Sequence, residues 1–313
     1  MKTEFKTWKK KFIKEFRRDW QLYLLILIPV IYTGVYSYGP MYGVQIGFRD
    51  FLPNLGITGS NWVGLRWFEK FLGFHKFGKI FLNTLILSLY QLSTFPLAVI
   101  LALVINALKQ ERYAKVIKTV SYVPHFISTV VMVSILNLVL SPVSGIYGNL
   151  YRAFGGVGYP ADIRPQAAAF RHLYVLSGVW QQLGWNSIIY VSALSGVSAE
   201  LHEAAQIDGA SRFKRMIHID LPSILPTVCI MFIMRCGHVI SVGFEKVYLM
   251  QYSMNEDVSE VISTYVYKNG MNSFKNFSYG SAIGLFNTAI NITLLLMVNK
   301  ITDKLTSGEI SLF

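Results

Sequence analysis

Six long apolar runs, separated by short polar segments, constrain this chain more than any other feature. A helix rises about 1.5 Å per residue, so about 20 apolar residues are needed to cross a hydrocarbon layer roughly 30 Å thick. The runs predict membrane helices at roughly 21–45, 80–106, 120–140, 172–194, 226–250 and 280–300. With 53% hydrophobic and only 15% charged residues, the composition suits a chain solvated by lipid. The expected fold is therefore an all-α integral membrane protein of six spans. Helices two to six are expected to form its core, with the first peripheral.

The net charge of +12 does not point to nucleic acid, because much of it sits in Lys2 to Arg18, directly before the first apolar run. There it reads as an anchor to anionic cytoplasmic lipid. Phe5, Trp8, Phe12, Phe16 and Trp20 recur at helical spacing. Residues 1–20 are thus either an interfacial amphipathic helix with a lysine-rich face or a disordered basic tail, ahead of a transmembrane domain at 21–313. No cleavable signal peptide is expected, since the first apolar run is too long and no small-x-small site follows. With both termini inside, the inner segments hold about 17 Lys and Arg against about 10 outside, the bias that orients membrane proteins. That orientation puts Glu203 to Pro222 in the cytoplasm.

Little else in the sequence suggests chemistry. Cys229 and Cys236 lie about 10 Å apart along one predicted helix, too far to bridge. No metal-ligand spacing, nucleophile motif or phosphate-binding glycine loop occurs, so no cofactor is expected in this chain and any ATP hydrolysis belongs to another. The aromatic segment 61–78 is expected along the outer interface. Pro96 and Pro124 are expected to bend their helices.

The stretch Glu203 to Pro222, EAAQIDGASRFKRMIHIDLP, interrupts the apolar pattern. Ser198 can cap a helix and Glu200 favours its positive end. Leu201, Ala204, Ala205 and Asp208 then share a face. Gly209 suits the left-handed residue that ends such a helix, and Ser211 can cap a second one. Pro222 is expected to end that second helix at Leu221, leaving Arg212, Lys214 and Arg215 exposed. On spacing alone this is a helical hairpin, either lying on the membrane or docking a partner.

The same stretch resembles the cytoplasmic EAA loop of ABC-importer permeases. Its pattern is Glu-Ala-Ala, Gly four residues after the last Ala, nine residues, then Ile-x-Leu-Pro. Glu203, Ala204, Ala205, Gly209, Ile219, Leu221 and Pro222 fall on it, with Asp208 before the glycine. Leu22–Phe51, Ser121–Thr129, Gly178–Leu194 and Thr264–Gly270 are similar to the carbohydrate branch, in particular to permeases for complex oligosaccharides and polysaccharides. The resemblance implies a type I permease fold, with the loop at 198–222 docking on an ATPase. It also implies the partners: a second related permease, a cytoplasmic ATPase dimer that binds ATP and magnesium, an external solute-binding protein and an oligosaccharide substrate.

Polar side chains inside a span are costly unless they face a cavity or a partner. Arg235 and His238, three apart, either face a path or pair internally. Trp180, Gln182 and Trp185, with Gln181 and Asn186 beside them, offer stacking faces and amides to a sugar. Equally, they fit an interfacial belt with amides bonding neighbouring helices. Asn83, Gln91 and Asn137 are weaker candidates. Glu245 and Lys246 are expected near the outer end of the fifth span, where snorkelling is cheap. An importer for another solute such as a peptide, or a self-contained secondary transporter, would need different chemistry. The transporter would need an acidic relay, and no acidic residue lies deep in an expected span.

Overall fold

The computed structural model describes residues 2–108, 110–272 and 276–305, and these are mostly helical. Arg49–Asp50 pairs antiparallel with Asn61–Trp62 in a two-residue ribbon. Four helical segments are long and apolar enough to span a membrane: Arg18–Phe48, Phe77–Ala107, Arg212–Cys236 and Phe277–Lys304. A bent pair, Glu111–Phe126 with Thr129–Val139, makes a fifth when its two arms are counted as one broken span. The central helix, Ala167–Leu194, is 28 residues long. It does not qualify by composition, because Gln181, Gln182, Asn186 and several serines dilute its apolar run. Those residues are tolerated because protein surrounds much of it: Phe170, Tyr174, Val175, Tyr190 and Leu194 are all buried.

Several predicted boundaries move. The first helix runs from Lys2 to Thr33, with a non-helical break at Asp19, and continues as a π turn and a 3₁₀ segment to Phe48. Residues 22–42 are exposed along almost their whole length, as expected of a peripheral helix. The second span breaks at Thr94, where Pro96 starts a new helix.

The third span is not the straight helix predicted at 120–140. Its two arms meet at 104°. Pro124 has no N–H to donate to the preceding turn, and the first arm ends in a 3₁₀ turn at Val123–Phe126 with the proline in its first positions. Ser128 then caps the second arm, accepting the Val131 N–H at 3.3 Å. The carbonyl of Ile127, freed at the corner, accepts from Gln181 Nε2 at 2.7 Å. Backbone groups freed within a membrane need such partners. The bent segment and the central helix cross closely at Gly184, where a Cβ would collide with the Ser121 carbonyl.

The fifth span differs at both ends. Pro222 does not terminate a helix. Arg212–Arg215, a π turn at Met216–Asp220 and Leu221–Cys236 follow one another without a break. Leu221 N–H bonds Met216 O, five residues back. This wider spacing admits Pro222 in the first turn of the next helix, where its missing N–H costs little. At the other end the helix stops at Cys236 and not at 250, and residues 244–249 form a separate short helix. Lys246, expected to snorkel, is buried instead. The last helix, Phe277–Leu305, contains the predicted sixth span.

The interior divides into three apolar clusters. Leu87, Met132, Tyr174 and Val247 belong to one. Trp67, Phe71, Tyr265, Tyr279 and Ile283 belong to a second. Ala102, Tyr190, Leu194 and Ile224 belong to the third. Within segment 61–78, Trp67 and Phe71 are 4% and 1% exposed and pack inward, while Trp62 is exposed. The central helix joins the first and third clusters, and the cavity described next opens along it.

Candidate functional site

A cavity of about 870 Å³ runs between the central helix, the second span and the fifth-span helix. Gln182, Trp185, Arg235 and His238 all line it, with Gln91, Thr94 and Asn186. The structure thus brings together four of the five predicted path residues. Trp180 is not among the lining residues and is half exposed elsewhere on the helix. It lies five residues from Trp185, or about 140° around the helix. Arg235 lies in the last turn of the fifth-span helix. His238 follows in the turn, where its N–H bonds Arg235 O at 3.2 Å, so the two reach one cavity without sharing a helix face.

The polar lining is partly engaged. Gln182 Oε1 lies 2.8 Å from His125 Nδ1. The His125 ring stacks on Trp185 with centroids 4.0 Å apart and planes 5° from parallel. One face of Trp185 is therefore covered by the corner of the bent span, and its chain neighbourhood remains on the cavity. Asn83 and Asn137 serve as braces. Asn83 donates to the carbonyls of Asp257 and Glu260 and accepts from Arg171, while Asn137 O accepts from Arg164.

Arg235 has no ion pair among the described residues, and no Asp or Glu lines the cavity. Behind the wall, the buried Lys246 Nζ bonds the Tyr174 carbonyl at 2.7 Å and stands over the Tyr174 ring. It abuts Gly178, a lining residue, at 3.1 Å from where a Cβ would sit. Arg235 is thus the one Lys or Arg side chain among the lining residues, and no carboxylate stands beside it there.

The second candidate region is the loop at 198–222. Ser198 caps the helix Ala199–Ile207, accepting Glu200 N–H at 3.2 Å. Gly209 takes φ +74°. Its N–H bonds Gln206 O, and Ala210 N–H bonds Ala205 O at 2.8 Å. This paired closure ends a helix on a left-handed residue, as the sequence predicted. Ser211 caps the next helix, accepting Lys214 N–H at 3.4 Å. None of the nine residues of Ala199–Ile207 is buried. Leu201, Ile207 and Phe213 are strongly exposed, and Glu203, Ala204 and Asp208 also face outward. Ile219 and Leu221 are half-buried at the base and Pro222 is exposed. Arg215, expected to be exposed, is half-buried, with its Nε enclosed.

The sequence reading missed Asp220, which it passed over as the variable residue between Ile219 and Leu221. Because the fifth span begins at Arg212, this carboxylate lies within it, 3% exposed. Its Oδ1 is 3.1 Å from His202 Nε2 and 3.4 Å from Asn106 Nδ2. An acid between two apolar residues at a helix start was the available signal.

A bent-helix scaffold with membrane-length apolar helices, a polar cavity and an exposed helical loop is the architecture of a membrane permease component. Residues 94–307 match the family described as binding-protein-dependent transport system inner membrane component, and the chain belongs to that family, the permease subunits of ABC importers. It is 37% identical over 284 residues to the polygalacturonan/rhamnogalacturonan transport system permease protein YteP of Bacillus subtilis (strain 168), covering 90% of this chain and 88% of the relative. It is 38% identical over 291 residues to protein LplB of the same organism, covering 92% and 90%. A crystallised bacterial alginate ABC transporter in complex with alginate pentasaccharide-bound periplasmic protein contains a chain of the same fold. That chain has a TM-score of 0.84 and 31% identity, with 96% of this chain and 99% of that chain covered. The type I permease fold is thereby established.

Proposed function

We propose that this chain forms half of the path of an importer for an acidic, uronate-bearing oligosaccharide. The observation that carries this reading is Arg235, a guanidinium on the cavity with no ion pair among the described residues and no lining carboxylate. A charge in a span is retained where it meets a cavity or a charged ligand, and guanidinium matches carboxylate in a two-pronged geometry. The relatives named for polygalacturonan/rhamnogalacturonan and for alginate support the same chemistry. Gln182, Trp185 and His238 would supply hydrogen bonds and a stacking edge. Trp180 lies outside this cavity.

The partners follow from the same reading. A solute-binding protein delivers the sugar, a second related permease completes the path, and an ATPase dimer docks on Glu203, Ala204, Ala205, Asp208 and Gly209. ATP and magnesium act in that dimer. Ile219, Leu221 and Pro222 join the docked loop to the fifth span. Six spans, with both termini cytoplasmic, residues 1–20 on the inner surface and 21–313 forming the permease domain, place the loop beside it.

The experiment is uptake in proteoliposomes holding the complete importer. Arg235→Gln is expected to lower uptake of an oligogalacturonate by roughly tenfold to a hundredfold, the worth of a charge-assisted hydrogen bond of about 1.5–3 kcal/mol. Arg235→Lys should retain more of it. Unchanged uptake in Arg235→Gln at normal membrane abundance refutes the role.

A further inference from the structure

The helix Ala199–Ile207 stands outside the membrane core, with none of its residues buried. Motion imposed on such a helix reaches the spans only through its chain connections and whatever side chains tie it down. Among the described residues, one side-chain bond joins it to another part of the fold: His202 Nε2 to Asp220 Oδ1 at 3.1 Å. Asp220 is the last residue of the π turn Met216–Asp220, immediately before the helix Leu221–Cys236 that carries Arg235. A π turn re-aims the side chains that follow it. The same Oδ1 also accepts from Asn106 at 3.4 Å, in the last turn of the second span. One buried carboxylate therefore bridges the exposed helix, the base of the fifth span and the inner end of the second. Both of those spans line the cavity, through Gln91 and Thr94 on one and Arg235 on the other.

We propose that His202, Asp220 and Asn106 form the strut through which movement of the exposed helix is transmitted to the two cavity-lining spans, making His202 a positioning residue for coupled transport. This rests on the docking role given to the loop above. The strut is a hydrogen-bond device: it needs a donor at 202 and an acceptor at 220. Histidine Nε2 and glutamine Nε2 reach a similar distance from the backbone, while leucine fills a similar volume with no donor.

The test uses the complete importer with its ATPase and binding protein in proteoliposomes. It reads three quantities for each variant: ATPase subunit retained on purification, basal ATP hydrolysis, and sugar taken up per ATP hydrolysed. His202→Leu is expected to keep the first two and lower the third by roughly tenfold, within the usual range for coupling between sites. His202→Gln should restore the ratio to near the parent value. The double variant His202→Leu with Asp220→Leu should be no worse than Asp220→Leu alone, because the two residues act through one bond. A parent-like ratio in His202→Leu overturns the strut. So does a fall in His202→Gln as deep as in His202→Leu, since packing at that position would then be what matters. Loss of the ATPase subunit from His202→Leu also overturns it, because the residue would then serve docking. Gly209→Val probes docking itself, so failure of the docking reading shows there, separately.

Discussion

Gly209 offers a perturbation whose cost follows from one dihedral angle. It holds φ at +74° and closes the helix Ala199–Ile207 with the Gly209-to-Gln206 and Ala210-to-Ala205 backbone bonds. A Cβ placed there would meet nothing within 4 Å, so a substitution costs backbone strain alone and creates no clash. For an L residue in the left-handed region that strain is about 1–2 kcal/mol, least for Asn and greatest for a β-branched side chain. The order of disturbance should therefore be Asn, then Ala, then Val. A turn held in place only by its own two bonds yields under about 2 kcal/mol, and the loop then populates other geometries in which Glu203 and Ala204 no longer face a partner together. The assay is co-purification of the ATPase subunit with each variant, alongside sugar-stimulated hydrolysis and membrane abundance. Gly209→Val should lose retention by roughly tenfold or more, with Asn near the parent. Equal retention for Asn, Ala and Val would refute the reasoning, because the left-handed turn would then have no bearing on docking.

Two further outcomes are expected. Trp185→Ala should lower sugar uptake by about fivefold to tenfold, the scale of one aromatic contact, while Trp180→Ala leaves it unchanged; uptake kinetics at equal abundance decide between the cavity and belt readings. Glu256 is held below its ordinary 4.5 first by the hydrogen bond from Lys268, which outweighs its partial burial. A depressed carboxylate stabilises the fold above its unfolded value and loses that contribution as pH falls through the lowered one. Lys268→Met, which also removes the Lys268 bond to Glu260, should thus lower Tm near neutral pH by an amount on the order of 1 kcal/mol, since these pairs are partly solvated. The difference should close on acidification, and a pH-independent difference would exclude the Lys268 carboxylate contacts as its source.

Much of the scaffold was legible because membrane spans depend on continuous apolarity, a local property. Ser198, Gly209 and Ser211 were legible for the same reason: caps and left-handed turns are decided within a few residues. The corner at Pro124 was visible as a bend, but its 104° was not, nor was the bond by which Gln181 reaches Ile127 from another helix. Pro222 misled because the π turn before it, which relieves the ring, leaves no simple periodic mark. Arg235, His238, Gln182 and Trp185 could be nominated from polarity in an apolar setting. The partner of Asp220 could not, because His202 lies 18 positions away across the loop and becomes its neighbour only when the hairpin folds.

The most direct measurement is uptake of a labelled oligogalacturonate into proteoliposomes containing this chain, its partner permease, the ATPase and the solute-binding protein. Accumulation should require ATP, the ATPase and the binding protein together, exceed that of a neutral oligosaccharide of equal length, and fall in Arg235→Gln. Accumulation by this chain alone, driven by an ion gradient without ATP, would contradict the account.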